Sequence, residues 1–452
     1  MKRLVQAISL AGLALTTGCQ LIGGFEDLQG GGSTPLDPRC QVLGSEDDDA
    51  VELGAVLPLT TAEGTPDLLG PYWRNALDLV AVQTNPPHQQ GVASGRSLRF
   101  TVCDTTGDAT QAPDLAQILV DRGVPAIVSG SSGDTLLEAG VTVPAGVLLL
   151  AGAATTPELS TLLDESPDHS VGLVWRTVPS SVFETQVMAG ELMTLHADLP
   201  SVTVFARNDA FGQGTSGAFQ SAYTGASHVV YFDPVVAGSS DTTPAAVAQA
   251  ASQFTGIAVV IGMPSDIFAV LNSAAKDAHY DHAEWFLTQG AKSPTLFDSV
   301  TNPTLEGAFV TAPASSPGSA AYRFFAPLYD SAYGTAQEPD PLADTVLAPY
   351  FYDAGMLAVL AAEVTLDRGA DLDGTNLAHV LTQVSVTSAA KTPLDPIMLG
   401  AAASALLHDQ PVNVDGASGP LDFDPQSGEA EGAIDVFRIE QGDFTLITTA
   451  MP

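Results

Sequence analysis

The strongest constraint in this chain is a run of alternating strand-like and helix-like segments that occurs twice. Short apolar stretches at 51–57, 98–103, 126–128 and 147–150 are separated by helix-spaced segments at 72–82 and 113–122, and a further helix opens at 136–139. After Arg176-Thr177-Val178 the alternation restarts, with helices over 182–196, 214–223, 244–253 and 265–276 and strands over 201–206, 228–232, 257–261 and 284–287. Short, uninterrupted apolar strands alternating with helices belong in parallel sheets covered on both faces. Two series predict two such α/β lobes. No repeat of solenoid length interrupts them.

A chain of 452 residues that is 45% hydrophobic has material for two or three packed domains. Its low charged fraction, 15%, argues against disorder. It carries 52 acidic against 15 basic side chains, a formal charge of −37, so it lacks the clustered Lys and Arg that phosphate backbones require. No nucleic-acid partner is expected. Three cysteines are too few for a disulfide-stapled scaffold.

Lys2 and Arg3 precede an apolar run from Leu4 to Leu15 and then Thr16-Thr17-Gly18-Cys19. That run is too short to cross a bilayer, which takes about 20 residues, and reads as a secretory signal over 1–18. Leu15-Thr16-Thr17-Gly18-Cys19 resembles a bacterial lipobox. The resemblance implies cleavage before Cys19, acylation there, and a location in the cell envelope outside the cytoplasm. A plain signal peptide that happens to contain a cysteine is the alternative. Cleavage would remove Lys2 and Arg3 and no acid, so the mature chain is still more acidic. Cys40 and Cys103 remain, and an even remainder in an exported protein favours a disulfide over two separate buried thiols. Residues 19–50, with Gly30-Gly31-Gly32-Ser33 and the acidic run Glu46–Asp49, read as a flexible tether.

In open parallel sheets, ligands bind beyond the carboxyl ends of the strands, beside helix N-termini. The loops there are small and hydroxyl-rich: Ser129–Asp134, Ala151–Leu159 and Asn208–Gly214. At these residues the chain resembles a type I periplasmic binding protein of the branched-chain amino-acid (leucine/isoleucine/valine-binding) group. The resemblance is carried by Gly54–Thr60, Gly70–Leu79, Val124–Val128 with Ser131-Ser132, Ala153–Leu159, Val174–Thr177, Asn208–Gly214, Tyr352-Asp353-Ala354 and Gly419–Asp424, in that order over about residues 51–450. It implies an α/β fold of two lobes, each a mainly parallel sheet flanked by helices, joined by three crossovers. Lobe 1 is expected over 51–176 and 311–432, and lobe 2 over 177–310 and 433–452.

The resemblance also implies a ligand site. Ser132 matches the serine that takes the ligand carboxylate, Ala153 and Thr155 match an alanine carbonyl and a threonine hydroxyl lining the site, and Phe211 matches the covering aromatic of the second lobe. Leu69 and Met263 stand where that group has tyrosines. Gln289 stands where it has the acid that pairs with an α-ammonium. A neutral amide cannot pair with a buried cation. Either the register slips onto Glu284, or the ligand is not a simple α-amino acid. Residues 385–415 have no counterpart and read as an insertion.

Other motifs carry less. Gly212-Gln213-Gly214-Thr215-Ser216-Gly217, with Asp233 beyond it, fits a dinucleotide fingerprint, but 207–211 separate strand from first glycine where that fingerprint needs an immediate turn. Asp277, His279, Asp281 and His282 sit at a helix end and read as a solvated turn rather than a metal site. Asp371-Leu372-Asp373-Gly374 lacks the end acids of a calcium loop. Tyr350-Phe351-Tyr352 reads mainly as core. No catalytic constellation, metal site or cofactor site is expected, so the chain reads as a non-enzyme. The leading expectation is a lipid-anchored solute-binding protein that captures an amino acid or related small carboxylate for an ABC permease. A ligand-sensing or scaffold lipoprotein of the envelope is the second, and the absence of a ligand-sized polar cleft would favour it.

Overall fold

The computed structural model describes residues 35–86, 92, 95–235, 240–293, 295–300, 305–334, 343 and 347–452. The signal segment, Cys19 and the tether up to residue 34 lie outside the described residues. Two sheets organise the remainder. The first contains β1 (Cys40–Gly44), β2 (Val51–Leu57), β3 (Leu98–Asp104), β4 (Ala126–Ser129), β5 (Leu148–Ala151) and β6 (Val174–Arg176). Two short strands of late sequence, β14 (Phe423–Asp424) and β15 (Glu429–Ala430), complete it in the order β1-β3-β2-β4-β5-β6-β15-β14. The second contains β7 (Val202–Arg207), β8 (Ser227–Phe232), β9 (Ile257–Ile261), β10 (Glu284–Leu287) and β11 (Phe309–Pro313). It is completed by β16 (Ile434–Glu440) and β17 (Asp443–Ala450), in the order β17-β16-β11-β10-β9-β7-β8.

Strands β3-β2-β4-β5-β6 pair in parallel, and so do β8-β7-β9-β10-β11. This is the arrangement of two α/β lobes that the sequence pattern predicts. In both lobes the first parallel strand lies between the second and the third, so the strand order reverses there. Ligands of doubly wound sheets bind at such reversals, outside the strand carboxyl ends.

The chain passes between the sheets three times: after β6, after β11 and before β16. These crossings are tied together. Thr177 Oγ1 donates to the Tyr350 carbonyl at 2.9 Å, Tyr350 Oη to the Ala314 carbonyl at 2.8 Å, and Ala314 N to the Ala433 carbonyl at 2.9 Å.

Apolar strands become central because their side chains are covered on both faces. The first lobe buries Leu53, Ala55, Leu57, Phe100 and Val102 against the helices Gly70–Thr84 and Ala348–Asp367. The latter is apolar nearly all round, as a fully buried helix must be. Trp73 and Phe351 stack at 4.7 Å between these two helices. Tyr352 is core as well, its hydroxyl donating to Gln83 Oε1 at 2.7 Å. Asp353 accepts from Ala417 N and Ser418 N at 2.8 and 2.7 Å, pinning the loop after β13 (Asn413–Asp415) to that helix.

Two expectations need adjusting. The flexible tether does not reach residue 50, because Cys40–Gly44 is an edge strand antiparallel to β3. Cys40 faces Cys103 in that register, and a disulfide joins them. The lobe boundary at 310/311 falls inside β11, which belongs wholly to the second sheet. The segment 385–415, read as an insertion, is built into the first lobe. Its helix Leu399–Leu407 and the short parallel pair β12 (Lys391–Pro393) and β13 bury Leu394, Leu399, Leu406 and Val414 in the first lobe's core. No helix among the described residues is long and apolar enough to cross a membrane.

Candidate functional site

Every residue singled out for ligand contact follows the carboxyl end of a strand. Leu69, Ser132 and Thr155 follow β2, β4 and β5 of the first lobe. Phe211, Met263 and Gln289 follow β7, β9 and β10 of the second. Ser132 opens the helix Ser132–Thr142, which Ser131 and Asp134 cap reciprocally. That cap fixes where the helix begins and so where the Ser132 hydroxyl lies. Ser132 Oγ accepts from Thr156 N at 3.2 Å, so the β4 and β5 loops of this lobe are joined at the site.

The β5 loop is held from behind by Arg176. Its Nη1 donates to the Thr156 carbonyl at 2.8 Å, and Nη2 donates to Ser160 Oγ at 3.0 Å and pairs with Glu429. Arg176 is buried, and a buried guanidinium needs acceptors and a counter-charge of this kind.

The two lobes touch through these loops. Thr156 Oγ1 donates to the Ala210 carbonyl at 3.3 Å. The Gln289 amide lies 3.3 Å from Thr155 Oγ1. Gly214 comes so close to the first lobe that a Cβ there would lie 2.9 Å from Pro157 Cδ, and one on Gly212 would fall 1.9 Å from the Arg207 carbonyl oxygen. The Gly212-x-Gly214 pattern is thus explained by a tight strand–helix turn and by lobe contact, not by a phosphate loop. As a result Ser132 is 3% and Thr155 1% exposed. The structure is closed.

Leu69, Ala153 and Met263 border one apolar cluster. Leu69 is buried in the first lobe's core, and Ala153 and Met263 pack partly buried against that same core. Met263 therefore reaches it from the other lobe. Phe211 is brought near the junction by its neighbour Ala210, but its side chain belongs to the second lobe's cluster with Met188, Ala206 and Phe219. Glu284 begins β10, at the end of the strand remote from the site, where His196 Nε2 lies 2.8 Å from its carboxylate. It therefore cannot supply the acid missing at Gln289. Asp373 caps the helix Gly374–Leu381, and His279 pairs with Asp277 at an exposed turn. Among the described residues, no three His, Cys, Asp or Glu side chains group as a metal site.

Several charged groups of the junction were not foreseen. Arg207, at the end of β7, pairs with Asp209 at 2.6 Å and with buried Asp266 at 2.8 Å. Across from it, burial pushes Asp134 up to about 6, against the pull of its Ser131 hydrogen bonds and of the Arg207 charge. Glu184 is buried in the first turn of the helix Ser181–Leu195. Its carboxylate accepts from Gln289 N at 3.1 Å and from Thr311 Oγ1 at 3.0 Å. Burial pushes it up to about 8. A signal for Glu184 was present in the sequence: it shares a helical face with Ser181, Thr185, Met188, Ala189 and Leu192, all buried. An acid inside an inward stripe needs a partner.

Two α/β lobes, tied by three crossings and closing a polar junction over the carboxyl ends of both sheets, define a ligand-capture architecture. Over residues 50–443 the sequence matches the family model for periplasmic binding proteins, and the chain belongs to that family. Its fold is similar to that of the leucine-binding protein LivK from Thermotoga maritima, with a TM-score of 0.68 at 18% identity, covering 89% of this chain and 99% of that one. It is also similar to LivJ from Streptococcus pneumoniae, solved with isoleucine, at TM-score 0.66, 16% identity and coverages of 89% and 100%. A solute-binding protein of an ABC transporter from Rhodopseudomonas palustris, solved with 3,4-dihydroxybenzoic acid, gives TM-score 0.66, 17% identity and coverages of 89% and 98%. A comparison with curated proteins gives no match. Family membership carries a solute-binding role and a place outside the cytoplasm.

Proposed function

We propose that this protein captures a small carboxylate, an amino acid or a related acid, between its lobes and delivers it to an ABC permease, without performing chemistry on it. The observation that carries this reading is the meeting of Ser132, Thr155 and Gln289 where the carboxyl ends of the two sheets face each other. Ser132 Oγ accepts from Thr156 N, which leaves its own proton to donate to a carboxylate oxygen. Of the first N–H groups of the helix that begins at Ser132, that of Asp134 is taken by Ser131 Oγ, and those of Ser132 and Gly133 have no partner within the helix and favour an anion. Ala153, Leu69 and Met263 supply apolar walls. Hinge motion at the crossings admits the ligand, and closure excludes water.

The relatives support the carboxylate class, since isoleucine and 3,4-dihydroxybenzoic acid share a carboxylate and little else. The lipobox-like Leu15–Cys19 supports anchoring at Cys19 in the membrane, where several acyl chains hold far better than one. Titration calorimetry with amino acids, aliphatic acids and benzoates on wild type, Ser132→Ala and Thr155→Ala tests the site. Binding by wild type that weakens in both variants is expected. Binding indifferent to both would place the ligand elsewhere.

A further inference from the structure

The site has an acid, though not at the position where the family resemblance places one. Glu184 lies on the helix that enters the second lobe directly from the first crossing, and its side chain reaches the end of β10. Three donors converge on it: Gln289 N at 3.1 Å, Thr311 Oγ1 at 3.0 Å, and the Gln289 side-chain amide. With that amide's oxygen turned to Thr155 Oγ1 at 3.3 Å, its nitrogen donates to Glu184 Oε2 at 2.5 Å. A continuous chain, Thr155–Gln289–Glu184–Thr311, thus runs from one lobe to the other. All the donors are neutral, and the carboxyl is 1% exposed. A carboxylate taken out of water needs a counter-charge or a proton, and neutral donors give neither. Gln289, on a short turn, reaches toward both lobes.

We propose that Glu184 is the specificity-determining acid of this site and that it selects ligands bearing an ammonium group beside the carboxylate. The ammonium displaces the Gln289 amide from Glu184, while Ser132 and Thr155 hold the carboxylate. The assignment rests on the carboxylate-capture reading above. It differs from both alternatives the sequence left open, a slip to Glu284 or a ligand without an α-ammonium.

Matched pairs of ligands test it: alanine with propanoate, leucine with 4-methylpentanoate, and phenylalanine with 3-phenylpropanoate. Each pair differs by the ammonium alone, so preference within a pair is independent of side-chain fit. Calorimetry on the mature wild type is expected to show at least one amino acid bound roughly tenfold or more tightly than its partner acid. Glu184→Gln is expected to abolish that preference by weakening the amino acid and leaving the partner acid within about threefold, which also shows that the variant folds. Gln289→Ala is expected to keep the preference. Equal weakening of both members by Glu184→Gln would mean a structural role and would overturn the assignment, as would an intact preference in that variant or a wild type that favours the acids without ammonium. If wild type binds no member of any pair and no benzoate, the carboxylate-capture reading itself fails.

Discussion

Thr155 of one lobe and Gln289 of the other meet within 3.3 Å, and both follow the last residue of a parallel strand. Each sheet therefore contributes one polar group to a single point. Losing one hydrogen bond to a charged ligand costs about 1.5–3 kcal/mol, a factor of roughly ten to a hundred in affinity. Thr155→Ala and Ser132→Ala are each expected to weaken ligand binding by that amount in calorimetry.

Arg176 is the support of that loop. Arg176→Ala strips the Thr156 carbonyl of its donor and leaves Glu429 without its cation. Glu429 is partly exposed, so loss of its cation costs less than about 3–5 kcal/mol, the cost for a fully buried pair. A markedly lower melting temperature is expected, together with a loss of ligand affinity through the displaced Thr155. Arg176→Lys, lacking the planar fork, is expected to recover only part of either.

The disulfide Cys40–Cys103 fastens the start of the folded chain to β3 across a sequence separation of 63. Closing a loop of that order contributes about 2–4 kcal/mol in the chain-entropy account. Thiol labelling of the denatured, unreduced mature protein is expected to find neither cysteine free. Cys40→Ser with Cys103→Ser is expected to unfold at lower denaturant concentration.

Burial raises Glu184 to about 8, Asp353 to about 7 and Asp134 to about 6, all above the ordinary carboxyl range. A carboxyl with a raised folded-state value binds its proton more tightly when folded than when unfolded. Stability from these groups is therefore gained as pH falls and lost as it rises through those values. The melting temperature of the ligand-free protein is expected to climb between pH 8.5 and roughly pH 5. Glu184→Gln is expected to flatten the upper part of that slope.

Cys19 is the proposed anchor. Cys19→Ser is expected to release the protein from washed membranes into the soluble fraction, and a variant that stays with the membranes would refute the anchor.

The fold was legible because central strands are short apolar runs ending in small or polar turns, as at 126–129 and 257–261. β1 was not legible. Cys40–Gly44 is an edge strand with mostly outward residues, so it lacks the apolar run that marks a covered strand, and the glycines and acids around it suggest a tether. Gln289 was found only through the family resemblance, whereas the loops bearing Ser132 and Thr155 could be placed from strand ends alone. The charged network could not, because Arg207 meets Asp266, and Gln289 meets Glu184, across distances in sequence that no local pattern encodes. Ser181 and Glu184 also stand three apart, which invites reading that acid as a helix cap. In the structure Ser180 is the cap, and Glu184 faces inward.

Native mass spectrometry of the freshly purified mature protein tests the capture of a small carboxylate at this junction most directly. The account predicts one small acid per chain on the wild type, released on unfolding and absent from a Ser132→Ala, Thr155→Ala double variant that still folds. The same small molecule at the same occupancy on both proteins would contradict it.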